Sequence, residues 1–203
     1  MLRNIFIVLL VVIGLSLLLY PKLDAFNFAG DQANLVKEFE LLSSIDIDEN
    51  EDNTVDVSNN GLEGVGDSDV VGILRLESID LELAIFEGAS NENLDRGLGS
   101  ITSFDELGTS NVSIAGHRSV TDGKLFNRLG EIEVGDIIDV VSRDGQYDFV
   151  VEEVFVVHQS DVSVLEDTGE AVVTLVTCTP IGAKDPEDRL IIRGNLIGNS
   201  SMP

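Results

Sequence analysis

The stretch Thr174-Leu175-Val176-Thr177-Cys178-Thr179-Pro180, followed after a polar turn by Asp188-Arg189-Leu190-Ile191-Ile192-Arg193-Gly194, carries most of the information about the fold. Residues Ala171 to Cys178 are rich in β-branched side chains and predict a strand that delivers the only cysteine of the chain at its end. Pro180 has no N–H to give to a ladder, so pairing should stop there. Ile181 to Asp188 is turn-like, and from Arg189 a second strand is expected whose alternation puts Arg189, Ile191 and Arg193 on one face. A thiol and a guanidinium are thereby expected on neighbouring strand ends. Proton movement needs a third group, and the chain holds two histidines. His117 follows Asn111-Val112-Ser113-Ile114-Ala115-Gly116, an alternating strand that stops at a glycine. His117, Cys178 and Arg189 are the candidate catalytic residues.

At this point the chain resembles the sortases, membrane-anchored cysteine transpeptidases of the bacterial surface. The likeness lies in Thr174-Leu175-Val176-Thr177-Cys178 (a TLxTC signature), in Ala115-Gly116-His117-Arg118, and in the arginine that opens the strand after the cysteine. It extends more diffusely from about Val70 to Leu196. The resemblance implies an eight-stranded β-barrel with the site at one end of a groove. It implies a sorting signal like LPXTG on an exported protein as substrate, cut after the threonine and joined to an amine of a cell-wall precursor or a pilin lysine. The residue types agree with acyl transfer: a thiolate attacks, His117 takes and returns protons, and Arg189 holds the oxyanion and orients the substrate backbone because it never gives up its own proton. Thr177 to Pro180 with Arg189 to Gly194 looks most like classes C and D. Pilin-polymerising sortases usually carry a lid with an Asp-Pro-aromatic motif and a second membrane helix. Ser43 to Asp69 has no proline or aromatic residue and the chain ends at Ser201-Met202-Pro203, so a class D-like anchoring enzyme is favoured, with a pilin polymerase as the alternative. A membrane-tethered barrel that binds a surface protein without chemistry, and a plain cysteine protease, are the readings from other classes.

Free cysteine is among the most buried residue types, so Cys178 alone would more often be core than nucleophile; its setting reverses that. Arg193, deeper on the same face as Arg189, is expected to be a structural or groove residue. His158 ends the apolar run Val154 to Val157 and is expected to be a solvated strand-end histidine.

Composition sets outer bounds. A chain of 203 residues can hold one ordinary domain plus appendages. A net charge of −25 makes nucleic acid and acidic substrates poor partners, because like charges repel. One cysteine excludes an intrachain disulfide.

Ile5 to Tyr20 is sixteen residues of almost unbroken apolar character behind Arg3. Such a helix spans roughly 24 Å, which Pro21 and Leu23 extend towards a hydrocarbon core of about 30 Å. Leu23-Asp24-Ala25 has a large residue where a cleavage site needs a small one, so residues 1–23 are expected to be an uncleaved single-pass anchor. Arg3 should stay in the cytoplasm and send the acidic remainder outside the cell.

Residues 24–69 are expected to hold a short amphipathic helix, Asp31 to Leu42, capped by Asp31 and lying on the barrel, then an acidic linker. Ser43 to Asp69 contains nine acids and no Lys or Arg, as expected of a solvated or disordered tether. Asp46-Ile47-Asp48-Glu49-Asn50 invites a calcium reading, but Glu51 stands where an EF-hand loop needs glycine and Val57 where it needs glutamate. No metal or cofactor is expected.

Residues 70–203 have the texture of strands separated by Gly, Asn and Asp turns. Val70 to Leu76, Leu81 to Phe86, Asn111 to Ala115, Ile137 to Ser142, Tyr147 to His158, Val172 to Cys178 and Arg189 to Leu196 each predict a strand. Short helical pieces are expected at Asn91 to Leu98 and Lys124 to Leu129. The fold class is therefore mostly β, a closed barrel behind an N-terminal transmembrane helix.

Overall fold

The computed structural model describes residues 2–43 and 69–201. Alternation from Val70 onward produces eight strands: β1 (Val70–Leu76), β2 (Leu81–Phe86), β3 (Leu98–Ser100), β4 (Asn111–Ala115), β5 (Ile137–Ser142), β6 (Gly145–His158), β7 (Val172–Thr179) and β8 (Asp188–Ser201). They are ordered β1-β2-β3-β4-β7-β8-β6-β5, and β5 returns to pair with β1, so the sheet closes on itself as the expected barrel. Most neighbours are antiparallel, but β2 and β3, and β4 and β7, run parallel. The C-terminal ends of β4 and β7 therefore emerge at the same end of the barrel, where β8 begins antiparallel to β7. The inward residues of these strands, Ile114, Val173, Leu175 and Ile192, are fully buried in one core with Phe149 and Phe126. Each such side chain contributes about 1.5–3 kcal/mol by leaving water.

Within the barrel the structure differs from the sequence reading chiefly in four places. A third strand, Leu98–Ser100, was not expected, because three residues with a glycine at the centre carry no alternation to recognise. The helix starting at Asn91, α2 (Asn91–Arg96), stops at Gly97 so that β3 can begin. Lys124 to Leu129 is not a helix: Leu125 adopts φ of 50° and bridges to Arg118, a left-handed conformation that breaks a helix, and the single 3-10 turn Leu129–Glu131 follows. Leu125, Phe126 and Leu129 are nonetheless buried together. Finally, β8 continues past Leu196 to Ser201, because β6 starts at Gly145 and pairs with it along its whole length.

The expected apolar segment and amphipathic helix are one continuous helix, α1 (Leu2–Ser43), which runs through the expected boundary at Leu23. Pro21 removes one intrahelical bond without ending it, and Asp31 lies in its interior, not at a cap. The first half is apolar on every side, with Ile5, Val8 and Val11 all exposed, and is long and apolar enough to cross a membrane. The second half lies on the barrel, burying Val36 and Phe39 against Ile73 and Phe86 of β1 and β2. Glu40 pairs with Arg75 of β1 at 2.8 Å. The acidic stretch Ser44–Ser68, including Asp46 to Glu51, lies outside the described residues.

Arg75 also pairs with Glu82 at 2.6 Å and faces Asp139 of β5 at 3.9 Å. Burial pushes the Asp139 carboxyl above its usual range against the pull of Arg75, and its Oδ1 has no hydrogen-bond partner. A carboxyl raised on folding favours the folded state at acidic pH and loses that contribution as pH rises through its folded pKa. Asp139→Asn is therefore expected to raise the unfolding midpoint at pH 7, the gain shrinking towards pH 4 in denaturation series. A lower midpoint at pH 7 would mean that the pairing with Arg75 outweighs the burial.

Candidate active site

The register of β4 on β7 runs from Asn111 opposite Val172 to Ala115 opposite Val176, and one further backbone bond follows, Gly116 N–H to Val176 O at 3.1 Å. Carrying the same register two residues beyond Ala115 and Val176 sets His117 beside Cys178. On the other side of β7, Cys178 is directly opposite Arg189. In that extended register the three predicted residues fall in one row across three strand ends. Ile114, Leu175 and Ile192 point into the core, and each member of the row lies three residues from one of them. Alternation consequently turns all three to the outer face. There Cys178 and Arg189 are half-buried, and the His117 side chain is 45% exposed.

Side chains take over where the backbone ladder ends. Thr177 Oγ1 donates to Gly116 O at 2.8 Å in the interior, and Arg118 Nη1 donates to Thr179 Oγ1 at 3.0 Å. In the extended register these are the rungs immediately before and after the His117 and Cys178 pair, so both flanks are pinned. Thr177, 2% exposed, explains the threonine of the TLxTC signature: its hydroxyl satisfies a carbonyl that no strand reaches. Gly116 is required for a different reason. A Cβ there would stand 2.6 Å from both Leu98 Cδ2 and Phe126 Cδ2, and the Phe126 N–H bonds His117 O at 3.1 Å.

Around the row, His117 Nε2 faces Asp95 Oδ1 of α2 at 3.6 Å, a separation too long for a hydrogen bond and open to solvent screening. Arg189 is oriented by its own surroundings: Nη1 donates to Pro186 O at 2.7 Å and Asp188 O at 3.0 Å, and Nη2 to Gln159 Oε1 at 3.1 Å. Arg193 shares its face but is tied down, bonding Glu153 at 3.3 Å and Val164 O at 3.2 Å. With Asn111, which donates to Val164 O and Glu166 O, it fastens the β6–β7 connection onto the outer face, the structural part expected of it. His158 is exposed and bonded to Ser160 at 2.7 Å. Among the described residues no group of three metal-ligating side chains comes together.

Sequence reading did not find Asp95, Gln159 or the bond made by Arg118. Arg118 was visible as part of the Gly-His-Arg stretch, whereas nothing marks Asp95 or Gln159, which reach the site through the fold alone.

The flanking rungs make a direct prediction. Thr177→Val keeps the shape of the side chain but leaves a buried carbonyl unpaired, which costs about 1–3 kcal/mol. Thr177→Ser should retain most of that stability in denaturant unfolding, and equal loss in both variants would remove the hydroxyl from the explanation. Gly116→Ala is expected to destabilise by about 1–3 kcal/mol through overpacking, read in the same way.

The sortase domain family matches residues 74–197. Sortase A of Bacillus anthracis is 26% identical over 206 residues, covering 98% of this chain and 96% of the relative. Sortase D of Bacillus subtilis (strain 168) is 30% identical over 132 residues, 62% of this chain and 63% of its own length. The solved structure of Listeria monocytogenes sortase A superposes with a TM-score of 0.63 at 27% identity, covering 66% of this chain and 92% of that one. With a match that begins inside β1 and ends inside β8, the chain belongs to the sortase family, whose members are transpeptidases.

Proposed function

We propose that Cys178 is the nucleophile, His117 the general acid and base, and Arg189 the oxyanion and substrate-backbone donor of a reaction on sorting signals like LPXTG. The observation that supports this reading is Cys178 directly opposite Arg189 on β7 and β8, with His117 two residues past the end of β4, which runs parallel to β7. In the first half-reaction Cys178 Sγ bonds to the carbonyl carbon of the threonine. The C–N bond to the next residue breaks, and the thiol proton reaches the leaving amine through His117. The product is a thioester. In the second half an acceptor amine attacks that carbonyl, His117 takes its proton, and Sγ leaves. Arg189 Nη1 is occupied by two carbonyls, which fixes the plane of the guanidinium while Nε and a hydrogen of Nη2 stay available to the oxyanion and the substrate backbone.

The remaining parts of the reading follow the likeness to both sortase A and sortase D relatives. Transfer to an amine of a cell-wall precursor is favoured over pilin polymerisation, because the acidic stretch before β1 lacks the Asp-Pro-aromatic lid motif. The apolar first half of α1 supports a single-pass anchor with the barrel outside the cell, where exported substrates pass.

Incubation of the full chain in detergent micelles with an LPXTG-like peptide and a small amine is expected to yield the transferred peptide, and Cys178→Ala to yield none. Arg189→Lys keeps the charge but loses the fork, and kcat should fall roughly a hundredfold. Peptide binding with no product from the wild-type chain would make it a binding barrel. Capture of the acyl group by water in excess amine would make it a protease.

A further inference from the structure

The face of α1 that lies on the barrel carries Phe28, Leu35, Val36 and Phe39, and in its middle sits Gln32, only 4% exposed. A leucine there would bury apolar surface with no desolvation cost, so an amide at this position has to be fully bonded. Gln32 Nε2 donates to Arg96 O at 2.6 Å, and Gln32 Oε1 accepts from Ala84 N–H at 3.0 Å. Both partners are backbone groups that their own elements leave open. Arg96 is the last residue of α2, and its carbonyl is one of the acceptors a helix end cannot satisfy internally. Ala84 precedes Ile85, where β2 first pairs with β3. Gln32 therefore fills the gap between β2 and the end of α2, bonding both.

Asp95, the chain neighbour of Arg96 and with it beside α1, faces His117 Nε2 at 3.6 Å. A second tie from α1 reaches the segment that follows His117. Lys124 Nζ bonds Asp24 Oδ2 at 3.0 Å and lies 5.2 Å from the centre of the Phe28 ring. Two residues further on, the Phe126 N–H bonds the His117 carbonyl. Asp24, Phe28 and Gln32 are four residues apart, so one stripe of α1 holds both segments that meet at His117.

We propose that Gln32 is a positioning residue for His117, and that the imidazole takes its working orientation only with α1 seated on the barrel. The proposal rests on the reading of His117 as the acid and base of the site. It makes the helix that leads to the anchor a part of the catalytic apparatus and not only a tether.

The chain has two histidines, so the ring resonances of His117 can be followed by NMR of the full chain in detergent micelles with His158 as an internal reference. Gln32→Glu keeps an acceptor for Ala84 N–H but sets a carboxylate oxygen against the Arg96 carbonyl. It is expected to shift the His117 resonances, leave those of His158 in place, and lower kcat for amine transfer about threefold to tenfold with KM unchanged. Asp24→Lys changes a partly exposed pair and should shift the same resonances; adding Lys124→Asp to it restores the pair with its charges exchanged and should return them. His117 resonances indifferent to both Gln32→Glu and Asp24→Lys would overturn the proposal. A wild-type chain that turns over no peptide would sink the reading of the site instead, and the resonances would still decide whether Gln32 positions the imidazole.

Discussion

The parallel pairing of β4 with β7 is the constraint on which the site depends. Were these strands antiparallel, the ends bearing His117 and Cys178 would lie at opposite ends of the barrel, roughly 13–17 Å apart for a five-residue strand. A slip of one residue would be as damaging, because it would turn one of the two inward. The register is held below by Ile114 and Leu175 in the core. At the tip it is held by hydrogen bonds from Thr177 and Arg118 side chains, which continue the ladder after the backbone has left it. The core thus fixes which face His117 and Cys178 occupy, and the two polar rungs fix how the loop carrying His117 leaves the sheet.

Seven of the eight strands were legible because each alternates long enough to show a period of two and is bounded by turn residues. Leu98–Ser100 was not, since its pairing is imposed by the close approach of Gly97 and Gly99 to their neighbours, where a Cβ would stand 2.7 Å from Ala84 O or 2.6 Å from Gly88 O. The turn around Leu125 has apolar spacing that suits a helix, but the backbone takes a left-handed step so that the apolar side chains can close the site end of the core. His117, Cys178 and Arg189 stand out in the sequence because each sits at a strand end next to a recognisable stop. Asp95 and Gln159 could not, because their approach to the row depends on where α2 and the β6–β7 connection are packed.

Helix α1 changes character along its length without a break. Its first half stays exposed among the described residues, and its second half makes buried contacts that include an amide where an apolar residue would have sufficed for adhesion. Polar groups sealed in an apolar contact specify register more than strength, and Gln32 has a single way to satisfy both of its ends. One of the elements it joins, α2, carries Asp95, which faces His117. Around them the chain is strongly acidic, and the described basic side chains near the site are mostly engaged, Lys124 by Asp24 and Arg189 by carbonyls and Gln159.

The most direct measurement is the intact mass of the full chain quenched in acid during reaction with an LPXTG-like peptide and no amine. An adduct equal to the peptide up to its threonine, mapped by digestion to Cys178 and released by hydroxylamine, is the expected result. An unmodified chain that nonetheless consumes the peptide, or an adduct on any other residue, would contradict a nucleophile at the end of β7.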